Sequence, residues 1–179
     1  MNYDGKFDND FSVACQLGQK LLSTLNKKLK AGHKMIHTEI LKESIAMMLD
    51  KHSGIDAIML SGAGDISGVA LRIQTCSEKN WQTFTIRNTR ANGTKTEYEK
   101  RLKQIYDAHP SFYPHFTCQA YFDKTSRLIG GGLCYTKTIF DAIKNNLDNS
   151  KGVYMQTNKS DGNTFIVVPF SMIDPIMIF

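Results

Sequence analysis

The chain has 179 residues and a mass of 20.2 kDa, with 41% hydrophobic and 22% charged side chains. That balance suits one folded domain and excludes disordered, collagenous and membrane-embedded classes. Lysine and arginine number 22 against 17 acidic residues, a net charge of +5 that permits an anionic partner without demanding one.

From Phe7 to Lys30 the apolar positions Phe11, Ala14, Leu17, Leu21, Leu22, Leu25 and Leu29 recur at spacings of three and four, which predicts an amphipathic helix ended by Gly32. Thr38 is the N-cap candidate of a second helix, with Leu41, Ile45, Met48 and Leu49 on one face, closing before Ser53-Gly54. The period then shortens. Residues 54–60, 68–76 and 82–87 read as three consecutive strands, separated by glycines and a polar stretch. Thr94-x-x-Glu97 has the form of a capping box opening a third helix over 95–108, with Tyr98, Leu102, Ile105 and Tyr106 as its stripe and His109-Pro110 as its stop. Strands at 115–122 and 128–135, a helix at 137–147 and strands near 152–157 and 163–169 complete the chain. Gly130-Gly131-Gly132 inside a strand points to a bulge or a close backbone approach. The expected order is α-α-β-β-β-α-β-β-α-β-β. It predicts a single α+β domain over 1–179, with a central mixed, largely antiparallel sheet flanked by helices on both sides.

Four cysteines without a CxxC pair, Cys15, Cys76, Cys118 and Cys134, are expected as reduced thiols, with Cys15, Cys118 and Cys134 in apolar surroundings. The first ten residues lack the basic start and apolar run of a signal peptide, and no run of 18 apolar residues occurs. A cytoplasmic protein with no membrane partner is expected, in the host cytoplasm if the chain is viral.

Charge is concentrated in residues 72–103, which hold eight basic side chains against three acidic ones. A second cluster, Lys20, Lys27, Lys28, Lys30 and Lys34, follows the first helix. Such clusters suit a phosphate backbone, whose counterions they release, and equally suit a solvated face. Strand alternation adds that 68–76 and 82–87, paired as a hairpin, would present Arg72, Gln74, Thr85 and Arg87 on one polar face. In 115–122, Phe116, Cys118, Ala120 and Phe122 would point inward and Thr117, Gln119 and Tyr121 outward; a half-solvated antiparallel sheet gives the same pattern without any site.

A helix, Ser53-Gly54-Ile55-Asp56, a strand over 68–76 carrying a polar x-x-x triplet, a third strand, a basic helix and a further strand resemble the αβββαβ core of the PD-(D/E)XK nuclease-like superfamily. The resemblance covers about residues 8–123 and leaves a C-terminal β-β-α-β-β segment to complete the sheet. The segments TFTIR (83–87) and TEYEKR (96–101) are similar to those of small, divergent members encoded by phages or mobile elements. The resemblance implies a Mg²⁺-dependent phosphodiesterase, with Asp56 as catalytic and metal-binding acid and Arg72-Ile73-Gln74 at the triplet, so that Gln74 falls on the catalytic lysine. Arg72 stands where the second metal-binding acid belongs, and a guanidinium cannot ligate Mg²⁺. The expectation is therefore a protein that binds nucleic acid or a nucleotide at a degenerate site, either a divergent nuclease or an inactive relative. Ligand contacts would come from Arg72, Thr85, Arg87 and the helical Lys100, Arg101 and Lys103. A module that binds and inhibits a host protein is the alternative.

Other templates fit less well. His33 and His37 straddle Gly32 and lack a third zinc ligand; His115-x-Thr117 has no second HxT; and the glycine triplet lacks the lysine and the strand-to-helix setting of a P-loop. Trp81 and Phe84, near Arg72 and Arg87, could stack a base or serve as packing anchors.

Overall fold

The computed structural model describes residues 5–41, 43–75, 79–93, 96–107, 112–147 and 152–179. The first helix, α1 (Gly5–Lys28), carries Leu17, Leu21, Leu22 and Leu25 fully inside, against Met35, Ala57, Val69, Cys118 and Ala120. Gly32 reverses the chain at φ +83°, and a strand that periodicity did not predict follows, β1 (Lys34–His37). It is held on α1 by a side chain acting as a strand partner. Asn26 donates from Nδ2 to the Met35 carbonyl at 3.0 Å and accepts from the Met35 N–H at 2.6 Å.

The second helix is not a continuous helix. A 3₁₀ turn, Thr38–Ile40, gives way to the short α2 (Glu43–Met47) and then to a wide π turn, Met48–Ser53. The reason lies at Thr38, whose hydroxyl donates to the Asp56 carbonyl at 2.9 Å, so His37 serves as the cap instead.

β2 (Ala57–Leu60) pairs antiparallel with β1 and with β3 (Ile66–Thr75). β3 then runs parallel to β5 (Phe116–Phe122), with Val69 opposite Phe116 and Arg72 opposite Gln119. β5 pairs antiparallel with β6 (Leu128–Tyr135), and the two-residue β9 (Met177–Ile178) closes a six-stranded sheet in the order β1-β2-β3-β5-β6-β9. The expected β3–β4 hairpin is absent. β4 (Thr83–Thr89) leaves for a second sheet, where it pairs antiparallel with β8 (Thr164–Pro169), itself beside β7 (Tyr154–Thr157). The architecture is thus α+β with a mixed six-stranded sheet and a separate antiparallel three-stranded one, rather than one central sheet completed by the C-terminal strands.

The second sheet covers the face of β5 that was expected to meet solvent, and every residue of β5 is buried. Phe116, Cys118, Ala120 and Phe122 point to the α1 core, as alternation requires. Their polar neighbours become struts: Thr117 meets Thr136 at 2.9 Å, Gln119 accepts from Thr85, and the Tyr121 hydroxyl donates to the Thr83 carbonyl at 2.6 Å. α3 (Glu97–Tyr106) and α4 (Thr136–Asn146) close a second core, in which Phe84, Ile86, Ile166 and Val168 of the small sheet meet Ile139, Phe140 and Ile143. β6 approaches closely on both faces. A Cβ on Gly131 would strike the Gln119 carbonyl and the Phe179 ring, and one on Gly132 would strike the Phe170 ring.

α3 starts at Glu97 and ends at Tyr106, Thr96 turns its hydroxyl to the Arg87 carbonyl at 3.1 Å, and Thr94, His109 and Pro110 lie outside the described residues, as does Cys76. The three described cysteines are free thiols. Among the described residues no helix is long and apolar enough to cross a membrane.

Candidate functional site

Where the two sheets diverge, a cleft of about 1010 Å³ opens between α1, the start of β2, the second half of β3, β4 and the β7–β8 turn. Asp56, Arg72, Gln74, Thr85 and Arg87 all line it, although the strands that carry the last four belong to different sheets. The expected convergence is there by another route: β5 lies beside β3 in one sheet and reaches across to β4 through Gln119.

Asp56 stands just ahead of β2. Its Oδ2 accepts the Leu71 N–H at 2.6 Å, which pins the carboxylate against β3 next to Arg72. The Arg72 guanidinium is ion-paired to Glu97, the first residue of α3, whose other oxygen accepts the Arg87 N–H at 3.4 Å. Burial works against the charge on Arg72, but Glu97 and then Asp56 outweigh it, and its pKa is raised above the ordinary arginine value. Arg72 therefore carries a permanent positive charge between two carboxylates.

Two arginine donors in this region are left over. The Nε–H groups of Arg72 and Arg87 are buried and meet no acceptor among the described residues. An unmet buried donor costs about 1–3 kcal/mol, so such groups are rare without a reason. Gln119 adds a third donor. Its Oε1 accepts both the Thr85 N–H at 3.2 Å and the Thr85 hydroxyl at 3.0 Å. An N–H must meet an oxygen, so the amide orientation is fixed and the NH₂ end is the one left for the cleft. The Arg87 guanidinium lies 5.8 Å from the centre of the ring of Phe165, its register partner on β8 in the same sheet.

The α1 side of the cleft has different chemistry. Cys15 was expected in apolar surroundings; instead its thiol donates to Glu39 at 2.7 Å, and burial followed by that carboxylate pushes the thiol up to about 11. It is a hydrogen-bond donor at neutral pH, not a nucleophile. His37 Nδ1 lies 3.4 Å from the Glu39 backbone nitrogen and 3.7 Å from its carboxylate. Cys118 and Cys134 are buried as expected, with thiols pushed up by burial to about 12 and about 11.

The helical cations do not join the cleft. Arg101 is buried and donates to the carbonyls of Ser53 and, at 2.9 Å, Gly54, and to Gln104 Oε1 at 2.5 Å. Burial pushes its pKa down to about 10, against the pull of Glu97. It ties α3 to the turn ahead of β2, where Gly54 adopts φ +63° and has no room for a Cβ beside the guanidinium. Lys103 faces outward toward Glu99 at 3.7 Å, and neither it nor Lys100 lines the cleft. Trp81 is exposed under Lys79, whereas Phe84 is wholly buried and stacks no ligand.

The residues present do not fit Mg²⁺, which wants several carboxylate oxygens around it. Asp56 is already engaged by Leu71 N–H, the neighbouring position is a guanidinium, and among the described residues no cluster of three or more metal-ligating side chains occurs. Asp65 is held in its own turn by Ser61, and Glu78 lies outside the described residues. Gln119, Cys15, His37, Glu39, Lys159 and Phe165 are cleft residues that sequence reasoning missed. Only Gln119 left a signal, as a polar residue alternating with apolar ones, and its direction was read as solvent. The chain matches no protein-family model, no curated protein and no solved structure.

Proposed function

We propose that the cleft binds a phosphate-bearing ligand, a nucleotide or a strand of nucleic acid, and that the protein is a degenerate relative of the PD-(D/E)XK nuclease-like proteins without metal-dependent cleavage. One observation carries this reading: two arginines that line one cleft, Arg72 and Arg87, have buried Nε–H groups that the described residues leave without acceptors. Phosphate oxygens, which accept and never donate when ionised, would bring acceptors to these guanidinium groups in a complex. Against cleavage stands the donor set at Asp56. The Arg72 guanidinium is ion-paired to Glu97 and lies in the field of Asp56, where a divalent cation would need carboxylate oxygens.

The test combines binding and cleavage. Labelled single- and double-stranded DNA and RNA and a labelled nucleotide are titrated in Mg²⁺ and in EDTA, at about 50 and about 200 mM salt. Binding that weakens as salt rises, is lost in Arg87→Gln and yields no product is the expected result. Mg²⁺-dependent cutting that disappears in Asp56→Ala would restore the catalytic roles of Asp56 and Gln74 and overturn the degenerate half of the reading. Absence of binding to every probe would overturn all of it and leave a host-protein partner to be sought.

A further inference from the structure

The cleft and the cations outside it together say more about the ligand's size. We infer that the site takes a single nucleotide rather than a polymer, with its phosphate on Arg72, Arg87 and Gln119 and its base toward Phe165. The inference rests on the reading above and narrows it.

The three donors are neighbours by register. Arg72 lies opposite Gln119 in the β3–β5 pair, Gln119 bonds Thr85, and Arg87 follows Thr85 by two positions on β4, one side-chain repeat of about 7 Å. A cluster of that width matches one phosphate or two, not a backbone. A strand of nucleic acid would need further cations leading away from this point. The candidates are elsewhere: Arg101 is buried under carbonyls, Lys103 is paired with Glu99, and the lysines of α1 do not line the cleft. Beyond the two arginines the cleft adds, among the described residues, one lysine, Lys159, and it also contains the carboxylates of Glu39 and Asp56, which would repel a continuing backbone.

The remaining lining suits a base. Phe165 offers an aromatic face beside Arg87, and the carboxamides of Gln74 and Gln156 offer paired donors and acceptors for a base edge. A volume of about 1010 Å³ is at the upper end for small-molecule pockets and ample for a nucleotide.

The experiment is calorimetric titration of the full chain with AMP, GMP, CMP and UMP, the four nucleosides, inorganic phosphate, and end-blocked oligonucleotides of about twelve residues. At least one monophosphate is expected to bind about tenfold more tightly than both its nucleoside and inorganic phosphate, and to displace any bound oligonucleotide. Gln119→Glu keeps the acceptor for Thr85 and exchanges the leftover donor for an anion; it should lose about tenfold or more in affinity while its circular dichroism stays unchanged. Lys100→Gln with Lys103→Gln should leave affinity as it is. Oligonucleotides that bind where monophosphates do not, with binding weakened by the lysine changes, would overturn this inference while sparing the broader reading. Inorganic phosphate binding as tightly as every monophosphate would overturn the base contact. Silence from monophosphates and oligonucleotides alike would overturn both readings.

Discussion

Two arginine regions on either side of Glu97 differ in what their donors meet. Arg101 donates to Ser53, Gly54 and Gln104, and it joins α3 to the turn before β2. Arg72 and Arg87, by contrast, have buried Nε–H groups that meet no acceptor among the described residues, and both line the cleft. The first arrangement is complete within the chain and stabilises it. The second, on the proposed reading, is completed by a ligand's oxygen atoms. Hydrogen bonding thus distinguishes Arg101 from Arg72 and Arg87, where charge and sequence position treat all three alike.

Substitutions by methionine, which keeps bulk and removes donors, can break that distinction. Arg101→Met strips the Ser53 and Gly54 carbonyls of their buried partner and should lower unfolding free energy by about 3 kcal/mol in urea titrations. Affinity in the fraction still folded should not change. Arg72→Met should cost less, about 1–2 kcal/mol, because its side chain is 31% exposed and solvent screens the pair with Glu97. Adding Glu97→Gln should restore part of that loss, and a double-mutant cycle that finds no coupling would refute the ion pair as drawn. Arg87→Met is expected to change stability by no more than about 0.5 kcal/mol while abolishing ligand binding. An equal stability loss at Arg87 and Arg101 would erase the comparison.

The smallest effect probes the opposite wall. Removing the carboxylate with Glu39→Gln lowers the Cys15 pKa from about 11, so more thiolate is present at pH 8 and alkylation speeds up several-fold. Since Cys15 lines the cleft, saturating nucleotide should slow that alkylation in the wild-type chain. Unchanged rates in both experiments would detach Cys15 from the site.

What the sequence made legible was local. α1, α3, α4 and the strands with clear alternation follow from side-chain period, and Arg72, Gln74, Thr85 and Arg87, which alternate with Val69, Leu71, Ile73, Phe84 and Ile86, line one cleft without the hairpin expected to join them. Sheet membership was not local. β4 was assigned to a hairpin with β3, yet its place is decided by Gln119 and Tyr121 of β5 bonding Thr85 and Thr83 across the gap, and by β8. β1 escaped notice because four residues carry no period and its partner on α1 is one asparagine side chain. The Glu97 carboxylate, expected to cap a helix start, pairs with Arg72 and accepts the Arg87 N–H, contacts distant in sequence that no local pattern encodes. Cys15, His37, Glu39 and Lys159 reach the cleft from segments far apart in the chain, and no spacing rule links them.

The parallel seam between β3 and β5 also governs when the protein becomes competent. Parallel neighbours need a long crossover, and this one contains β4, a strand of the other sheet, together with α3. β4 in turn waits for β8, near the far end of the chain, with Thr83 opposite Pro169. Each sheet thus holds a piece of the other's schedule, and the chain should fold slowly, on the order of milliseconds to seconds, as high-contact-order topologies do. Arg72 and Arg87 come face to face only after both seams have closed. A ligand held between Arg72 and Arg87, as proposed, would need both sheets in place before it could bind.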